Sequence, residues 1–184
     1  MKNLLIVLSG PSGVGKGTIV NELLKRGNYA LSVSCTTRPP REGETDGKSY
    51  FFISKEEFLK NIRECGFLEY SVHFENYYGT PKKFVENRLE ESDVILEIEV
   101  DGALSVKKAI PEAVLIMILP PSEQELRKRL EGRGTESEEK IAGRIERMRY
   151  EISKKDEYDY VVVNDDLEAA VCRIQKIIES CKEN

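Results

Sequence analysis

Two rhythms of apolar residues run along the chain. Short continuous runs rich in branched residues, at 4–8, 94–98, 114–119 and 160–163, suit strands buried on both faces. Behind each run, helices are predicted over 15–26, 102–110, 122–130 and 166–180; in the first, Ile19-Val20 and Leu23-Leu24 recur at helical spacing. Strands alternating with helices imply crossover connections and a mostly parallel sheet covered on both faces, an α/β fold of three layers. Gly27 ends the first helical pattern. The last helix has a clear start, with Asp165 as its cap, Glu168 three places on, and Leu167, Val171, Ile174 and Ile178 as one apolar stripe.

Two stretches break this rhythm. From 34 to 80 the chain is dense in Gly, Pro, Arg and Tyr, with short aromatic strands expected at 49–53, 67–71 and 74–78 and a helix at 55–63. That pattern predicts a small α+β insertion on the sheet. From 123 to 156 the chain is highly charged and reads as two helices joined at Gly132-Arg133-Gly134. Ile141, Ile145, Met148 and Ile152 share one face of the second helix, and Thr135 with Glu138 offers it a capping box. The expected division is a core of 1–33, 81–121 and 157–184, an insertion of 34–80 and a helical lid of 122–156.

Between the first strand and the first helix stands Ser9-Gly10-Pro11-Ser12-Gly13-Val14-Gly15-Lys16-Gly17-Thr18. Strand, glycine loop, lysine and helix make the P-loop plan. Glycines let successive backbone N–H groups turn inward as an anion nest, and the helix N-terminus adds positive potential. Lys16 would reach the β- and γ-phosphates of a nucleotide. The pattern asks for a hydroxyl directly after the lysine to bind Mg²⁺, but that position is Gly17, and Thr18 comes one place later. The metal is then held through water, through Thr18, or by carboxylates elsewhere.

Composition narrows the partners. With 184 residues, 40% hydrophobic and 33% charged, the chain can bury a core as one domain with small lobes. Its net charge of −5 argues against a main role in gripping nucleic acid, so an anionic ligand must be caught by local arginines and lysines. Cys35, Cys65, Cys172 and Cys181 are scattered without a C-x-x-C pair, which fits free thiols in a reducing cytoplasm. The N-terminal apolar run is short for a signal peptide, and no segment is long enough to span a membrane. His73, the single histidine, reads as a packing or surface residue.

Chemistry gathers in the two irregular stretches. Ser34-Cys35-Thr36-Thr37-Arg38-Pro39-Pro40-Arg41 sets two forked guanidinium groups around a stiffening proline pair, either a cradle for a dianionic phosphate or a solvated basic turn. Tyr50 and Tyr78 carry phenols that can donate to the same phosphate or simply pack. Glu69, among apolar and aromatic neighbours, is a surface glutamate or a reader of guanine, whose N1–H and N2–H₂ donors match a carboxylate. Glu97, Glu99 and Asp101 would share one face near the end of a strand, if the strand extends so far, to contact guanine or to hold Mg²⁺ through water. Arg129 and Arg133 are dipole-compensating charges at a helix end or, with Arg144 and Arg147 three apart on the next helix, the cations a closing lid aims at a transferring phosphoryl group.

Together these blocks resemble the guanylate kinases of the nucleoside monophosphate kinase group. The resemblance runs from Gly10-Pro11-Ser12-Gly13-Val14-Gly15-Lys16 through Val33 to Glu44, Gly47-Lys48-Ser49-Tyr50-Phe51-Phe52 and Asn76-Tyr77-Tyr78-Gly79-Thr80. It continues to Arg129-Leu130-Glu131-Gly132-Arg133-Gly134-Thr135 and Val163-Asn164-Asp165-Asp166. It implies a P-loop kinase fold with a GMP-binding insertion and a lid, and the Mg²⁺-dependent reaction ATP + GMP ⇌ ADP + GDP, with dGMP also accepted. By resemblance, Arg38, Arg41, Tyr50 and Tyr78 hold the GMP phosphate, while Ser34, Glu69, Thr80 and Glu99 or Glu97 read the base. Lys16, Arg129, Arg133 and Arg144 surround the transferred group, and Asn164 lies near the ATP base. Gly17 departs from the usual serine or threonine, and Glu97 and Glu99 stand where aspartates are common. The competing expectations are a P-loop kinase of another phosphorylated acceptor and a non-catalytic, peptide-binding relative. The oligomeric state is left open between monomer and homo-oligomer.

Overall fold

The apolar runs become the centre of a five-stranded sheet in the computed structural model of the chain, which describes residues 2–73, 75–131 and 138–183. The chain begins with β1 (Leu5–Ser9), α1 (Lys16–Arg26) and β2 (Tyr29–Leu31). It then leaves the sheet through β3 (Cys35–Thr36), β4 (Phe51–Phe52), α2 (Lys55–Arg63), β5 (Phe67–His73) and β6 (Asn76–Pro81). It returns by α3 (Lys82–Leu89), β7 (Asp93–Glu97), α4 (Val100–Ala109) and β8 (Val114–Leu119). Helices α5 (Glu123–Glu131) and α6 (Glu138–Ser153) follow, and β9 (Tyr160–Val163) and α7 (Leu167–Glu183) end the chain.

The main sheet has the order β2-β7-β1-β8-β9, and every neighbouring pair is parallel. Because side chains alternate along a strand, β1 sends Ile6 and Leu8 to one face and Leu5 and Val7 to the other. The first face is closed by α1 and α7 through Ile19, Val20, Leu23, Val171 and Ile174. The second is closed by α3 and α4 through Val85, Val100, Ala103 and Val106. This is the expected three-layer fold. The strand order reverses at β1, so the carboxyl ends of β1, β7 and β8 open a crevice, the place where such sheets bind ligands.

The residues of the aromatic stretch form a second, four-stranded sheet of order β4-β3-β6-β5, with β3–β4 parallel and the other pairs antiparallel. Phe58 of α2 is fully buried beneath it, 4.4 Å from the ring centroid of Phe67. Several boundaries differ from the sequence pattern. The strand expected at 74–78 sits at Asn76–Pro81, because the hairpin turns at Glu75, whose φ is +70°. The strand at 49–53 shrinks to two residues. β2, β3 and α3 carried no clear period: β2 is half-buried throughout, and α3 buries Val85 alone. Asp166, not Asp165, caps α7, accepting from the Ala169 N–H at 2.9 Å, while Asp165 accepts from the Asp166 N–H.

In the charged stretch, Leu126 of α5 packs on Ile145 and Met148 of α6, with Ile152 at the edge. Ser122 accepts from the Glu125 N–H at 3.1 Å and so caps α5. The connection at Gly132-Arg133-Gly134 and the capping residue Thr135 lie outside the described residues, as do the side chains of Glu138 and Ile141.

Candidate active site

The loop between β1 and α1 is built by three glycines in backbone conformations with positive φ: Gly10 at +143°, Gly13 at +86° and Gly15 at +97°. Gly10 tolerates no side chain, since a Cβ there would stand 2.1 Å from the carbonyl oxygen of Ile118. Gly15 is the N-cap of α1 and supplies no side-chain acceptor, so the first N–H groups of the helix remain for an anion. The Asn164 amide braces the loop, donating to the Val14 carbonyl at 2.8 Å, while its backbone N–H donates to the Leu119 carbonyl at 2.8 Å. A Cβ at Gly15 would meet that amide at 2.8 Å. Asn164, which resemblance places beside the ATP base, is thus also a brace of the phosphate loop.

Lys16 folds back over the loop, its ammonium donating to the carbonyls of Gly10 at 2.5 Å and Pro11 at 3.1 Å. Burial pushes its pKa down, and Glu97, Glu151 and Glu99 pull it back up. At Gly17 there is room for a side chain, since a Cβ would lie 3.6 and 3.7 Å from the carboxylate oxygens of Glu97. Glu97 is exposed at the end of β7, toward the crevice; partial loss of water around its carboxyl raises its pKa, while Lys16 draws it down.

Across the crevice lies a cavity of about 410 Å³, lined by Ser34, Arg41, Tyr50, Glu69, Tyr78, Glu97, Glu99 and Asp101 among others. These residues come from strands and connecting loops of both sheets and from the start of α4. Glu69 on β5 is 8% exposed and accepts from the hydroxyl of the fully buried Thr80 at 2.6 Å. Glu69 packs so close to α4 that a Cβ at Gly102 would lie 2.8 Å from its Oε2. Arg38 stands behind the lining, with its guanidinium 5.6 Å from the Tyr50 ring centroid, and Tyr50 meets Tyr78 edge-on at 6.0 Å. Burial raises the pKa of Tyr50, and Tyr78 adds to the shift, so its phenol stays protonated as a donor.

Glu44 is the residue the sequence reading left without a role. Its two oxygens grip both terminal nitrogens of Arg38, at 2.8 and 2.9 Å, and one also accepts from the Arg41 N–H at 2.8 Å. Arg38, then the Arg41 N–H, hold the Glu44 carboxyl below the usual carboxylate range. The available signal was an acid three residues after Arg41 and six after Arg38, with Gly43 before it to let the chain fold back.

The three acids expected on one strand face are separated. β7 ends at Glu97, Glu99 is the N-cap of α4, and Asp101 sits in the first turn of that helix. The helix begins earlier than its apolar spacing suggested, so the two-residue period stops at Glu97. Asp101 is turned toward α6, accepting from Arg147 at 2.7 Å and from the Tyr150 hydroxyl at 2.8 Å. Arg144 approaches the phosphate loop from α6, 3.5 Å from the Ser12 hydroxyl. Arg133 and the side chain of Arg129 lie outside the described residues.

A glycine loop at the switch point of a parallel sheet, a lysine on it and an arginine-tyrosine cavity opposite define a P-loop phosphotransferase fold and site. The family model for guanylate kinase matches residues 2–181. A guanylate kinase of Caldanaerobacter subterraneus subsp. tengcongensis is 54% identical over 98% of this chain and 90% of its own. One from Clostridium tetani is 53% identical over 98% and 88%. The crystal structure of guanylate kinase from Anaplasma phagocytophilum is similar with a TM-score of 0.77 at 36% identity, covering 97% of this chain and 85% of that chain. The chain belongs to the guanylate kinase family.

Proposed function

We propose that the two walls of the crevice divide one phosphoryl transfer between them, the glycine loop holding ATP and the cavity holding GMP. Family membership makes the chain an ATP:GMP phosphotransferase, yielding ADP and GDP. In this reading the 34–80 segment is the GMP-binding domain, 122–156 is the lid, and the rest is the core. The loop from Gly10 through Pro11, Ser12, Gly13, Val14, Gly15, Lys16, Gly17 and Thr18 receives the ATP phosphates on its N–H groups. Arg38, Arg41, Tyr50 and Tyr78 take the GMP phosphate; Ser34, Glu69, Thr80 and Glu99 or Glu97 take the guanine. The observation that carries the reading is Glu69, held by the buried Thr80 hydroxyl and lining the same cavity as the phenols and Arg41. With Thr80 donating to Oε1, Glu69 remains an acceptor for the paired N–H donors of guanine, a pair that adenine lacks.

Transfer asks little covalent chemistry of the protein: two anions must be brought in line and their charge offset. An ionised oxygen of the GMP phosphate is the nucleophile, so no general base is needed. Lys16, Arg129, Arg133 and Arg144 offset charge on the moving group, and a closed lid excludes water that would otherwise hydrolyse ATP.

Among the described residues, no group of three or more His, Cys, Asp or Glu is arranged to hold a metal ion. The residues fit a hydrated Mg²⁺ instead. Glu97 faces the position after the lysine, where a side-chain hydroxyl is missing, and a carboxylate accepts hydrogen bonds from metal-bound water. Glu97 and Thr18 would hold such an ion beside the nucleotide, where it neutralises phosphate charge. The readers named contact base and phosphate but not the ribose, which makes dGMP a substrate as well. We place the enzyme in the cytoplasm, in a monomer or homo-oligomer; no helix among the described residues is long and apolar enough to cross a membrane. A coupled ADP-release assay with GMP, dGMP and AMP tests the reading. Turnover on GMP and dGMP is expected, and AMP turnover comparable to GMP would overturn it.

A further inference from the structure

Two arginines one turn apart on helix α6 reach across to other elements. Arg144 reaches toward the phosphate loop at Ser12. Arg147 reaches Asp101 at 2.7 Å and Glu99 at 3.7 Å, both at the start of α4. Its Nε donates to Glu151 at 3.2 Å, and Glu151 is 4% exposed, so the base of the guanidinium is pinned from within α6. Its guanidinium also lies 4.9 Å from the Tyr150 ring centroid, and the Tyr150 hydroxyl donates to the second oxygen of Asp101 at 2.8 Å. One carboxylate is therefore held at two points by adjacent turns of one helix face.

We infer that Asp101 and Arg147 are positioning residues, which set the roll of α6 and thereby place Arg144 over the phosphate loop. Residues three apart share a helix face, so a rotation that breaks the Arg147–Asp101 contact also swings Arg144 away from Ser12. A single exposed ion pair contributes little to stability. Here the two-point grip does something else: it fixes an angle, and small misplacements of a transition-state cation are expensive in rate. Asp101 suits the anchoring end because it lies in the first turn of α4, where a carboxylate is favoured by the helix dipole. The anchor also sits beside Gly102, against which Glu69 packs. The same turn of α4 thus walls the GMP cavity and holds the helix that carries Arg144.

This inference rests on Arg144 acting on the transferred group, and the test separates the two claims. Steady-state kcat and KM for GMP are measured for Asp101→Asn, Arg147→Met, Arg144→Ala and their pairs, with melting curves to confirm folding. Asp101→Asn and Arg147→Met are each expected to lower kcat about tenfold, with KM for GMP within about threefold and the pair no worse than either alone. In the Arg144→Ala background, Asp101→Asn is expected to change kcat by no more than about twofold, because the residue it positions is gone. Losses that multiply in that background would overturn the positioning role while leaving Arg144 in the mechanism. A rise in KM for GMP with kcat unchanged would overturn it too, placing Asp101 in acceptor binding. If Arg144→Ala leaves kcat unchanged, the role assigned to Arg144 fails, and this inference with it.

Discussion

The phosphate loop is made of backbone, and the cavity facing it is made of side chains. In the loop, Gly10, Gly13 and Gly15 hold positive φ values within one short connection, and Asn164 reaches in to brace Val14. In the cavity, Ser34, Arg41, Tyr50, Glu69, Tyr78 and Glu97 arrive from separate strands and loops of two sheets. A backbone nest recognises what all nucleoside triphosphates share, because N–H groups see only phosphate oxygens. Selecting one base needs a pattern of acceptors, which only side chains can supply. The division of materials follows the division of tasks.

The contrast can be broken from either side. The largest effect is expected at the one side chain on which the loop depends. Lys16→Met should lower kcat by about 10³-fold or more, since in the proposed mechanism it removes the charge that offsets the transferring group. GMP binding, measured by calorimetry, should stay near the parent value; unchanged turnover would remove Lys16 from the mechanism. Gly10→Ala comes next and acts on the fold. Its Cβ would meet the Ile118 carbonyl at 2.1 Å in a backbone conformation that side chains avoid. A loss of about 3 kcal/mol in denaturant unfolding is expected.

On the cavity side, replacements should degrade selection and leave the fold intact. In Glu69→Gln, the amide oxygen can keep the Thr80 hydrogen bond, but the amide nitrogen then turns a donor toward the donors of guanine. The ratio of kcat/KM for GMP over AMP is expected to fall by about 10²-fold, and a preserved ratio would clear Glu69 of reading the base.

The gentlest test concerns the buried acid of α6, Glu151. Burial raises the pKa of Glu151, and Arg147 and Lys16 only partly offset this. The folded state therefore holds this proton more tightly than the unfolded state. The stability it contributes is present below the ordinary carboxylate range and is lost as pH rises through the raised value. Stability of the nucleotide-free Glu151→Gln variant should decline less than the parent's over that window, as read by melting curves from pH 4 upward. Parallel curves would show that Glu151 is not buried as a strained charge.

Much of this was legible in the chain itself. The runs at 4–8, 94–98 and 114–119 are apolar at every or nearly every position because a parallel sheet buries both faces, and they mark the sheet without any partner in view. The loop is legible for a related reason, as its conformation depends on glycines close together in sequence. By contrast, β2 and α3 bury too little to leave a period, and the end of β7 was overrun because Glu99 and Asp101 look like a continuing alternation. Nothing local announces that α4 starts at Val100.

What the amino-acid order determined, then, was whatever depends on neighbours: the apolar runs, the helical stripes and the glycine nest with its lysine. What the tertiary structure alone decided was which distant groups share a surface. It paired Glu69 with Thr80 across a hairpin, folded Glu44 back on Arg38, brought Asn164 from the far end of the chain to Val14, and set Asp101 against Arg147. Local propensity acts over a few residues, whereas a side chain's partner is set by packing among segments scores of residues apart. The loop could therefore be read as a phosphate site from ten residues, but the cavity had to be assembled before its residues could be seen together.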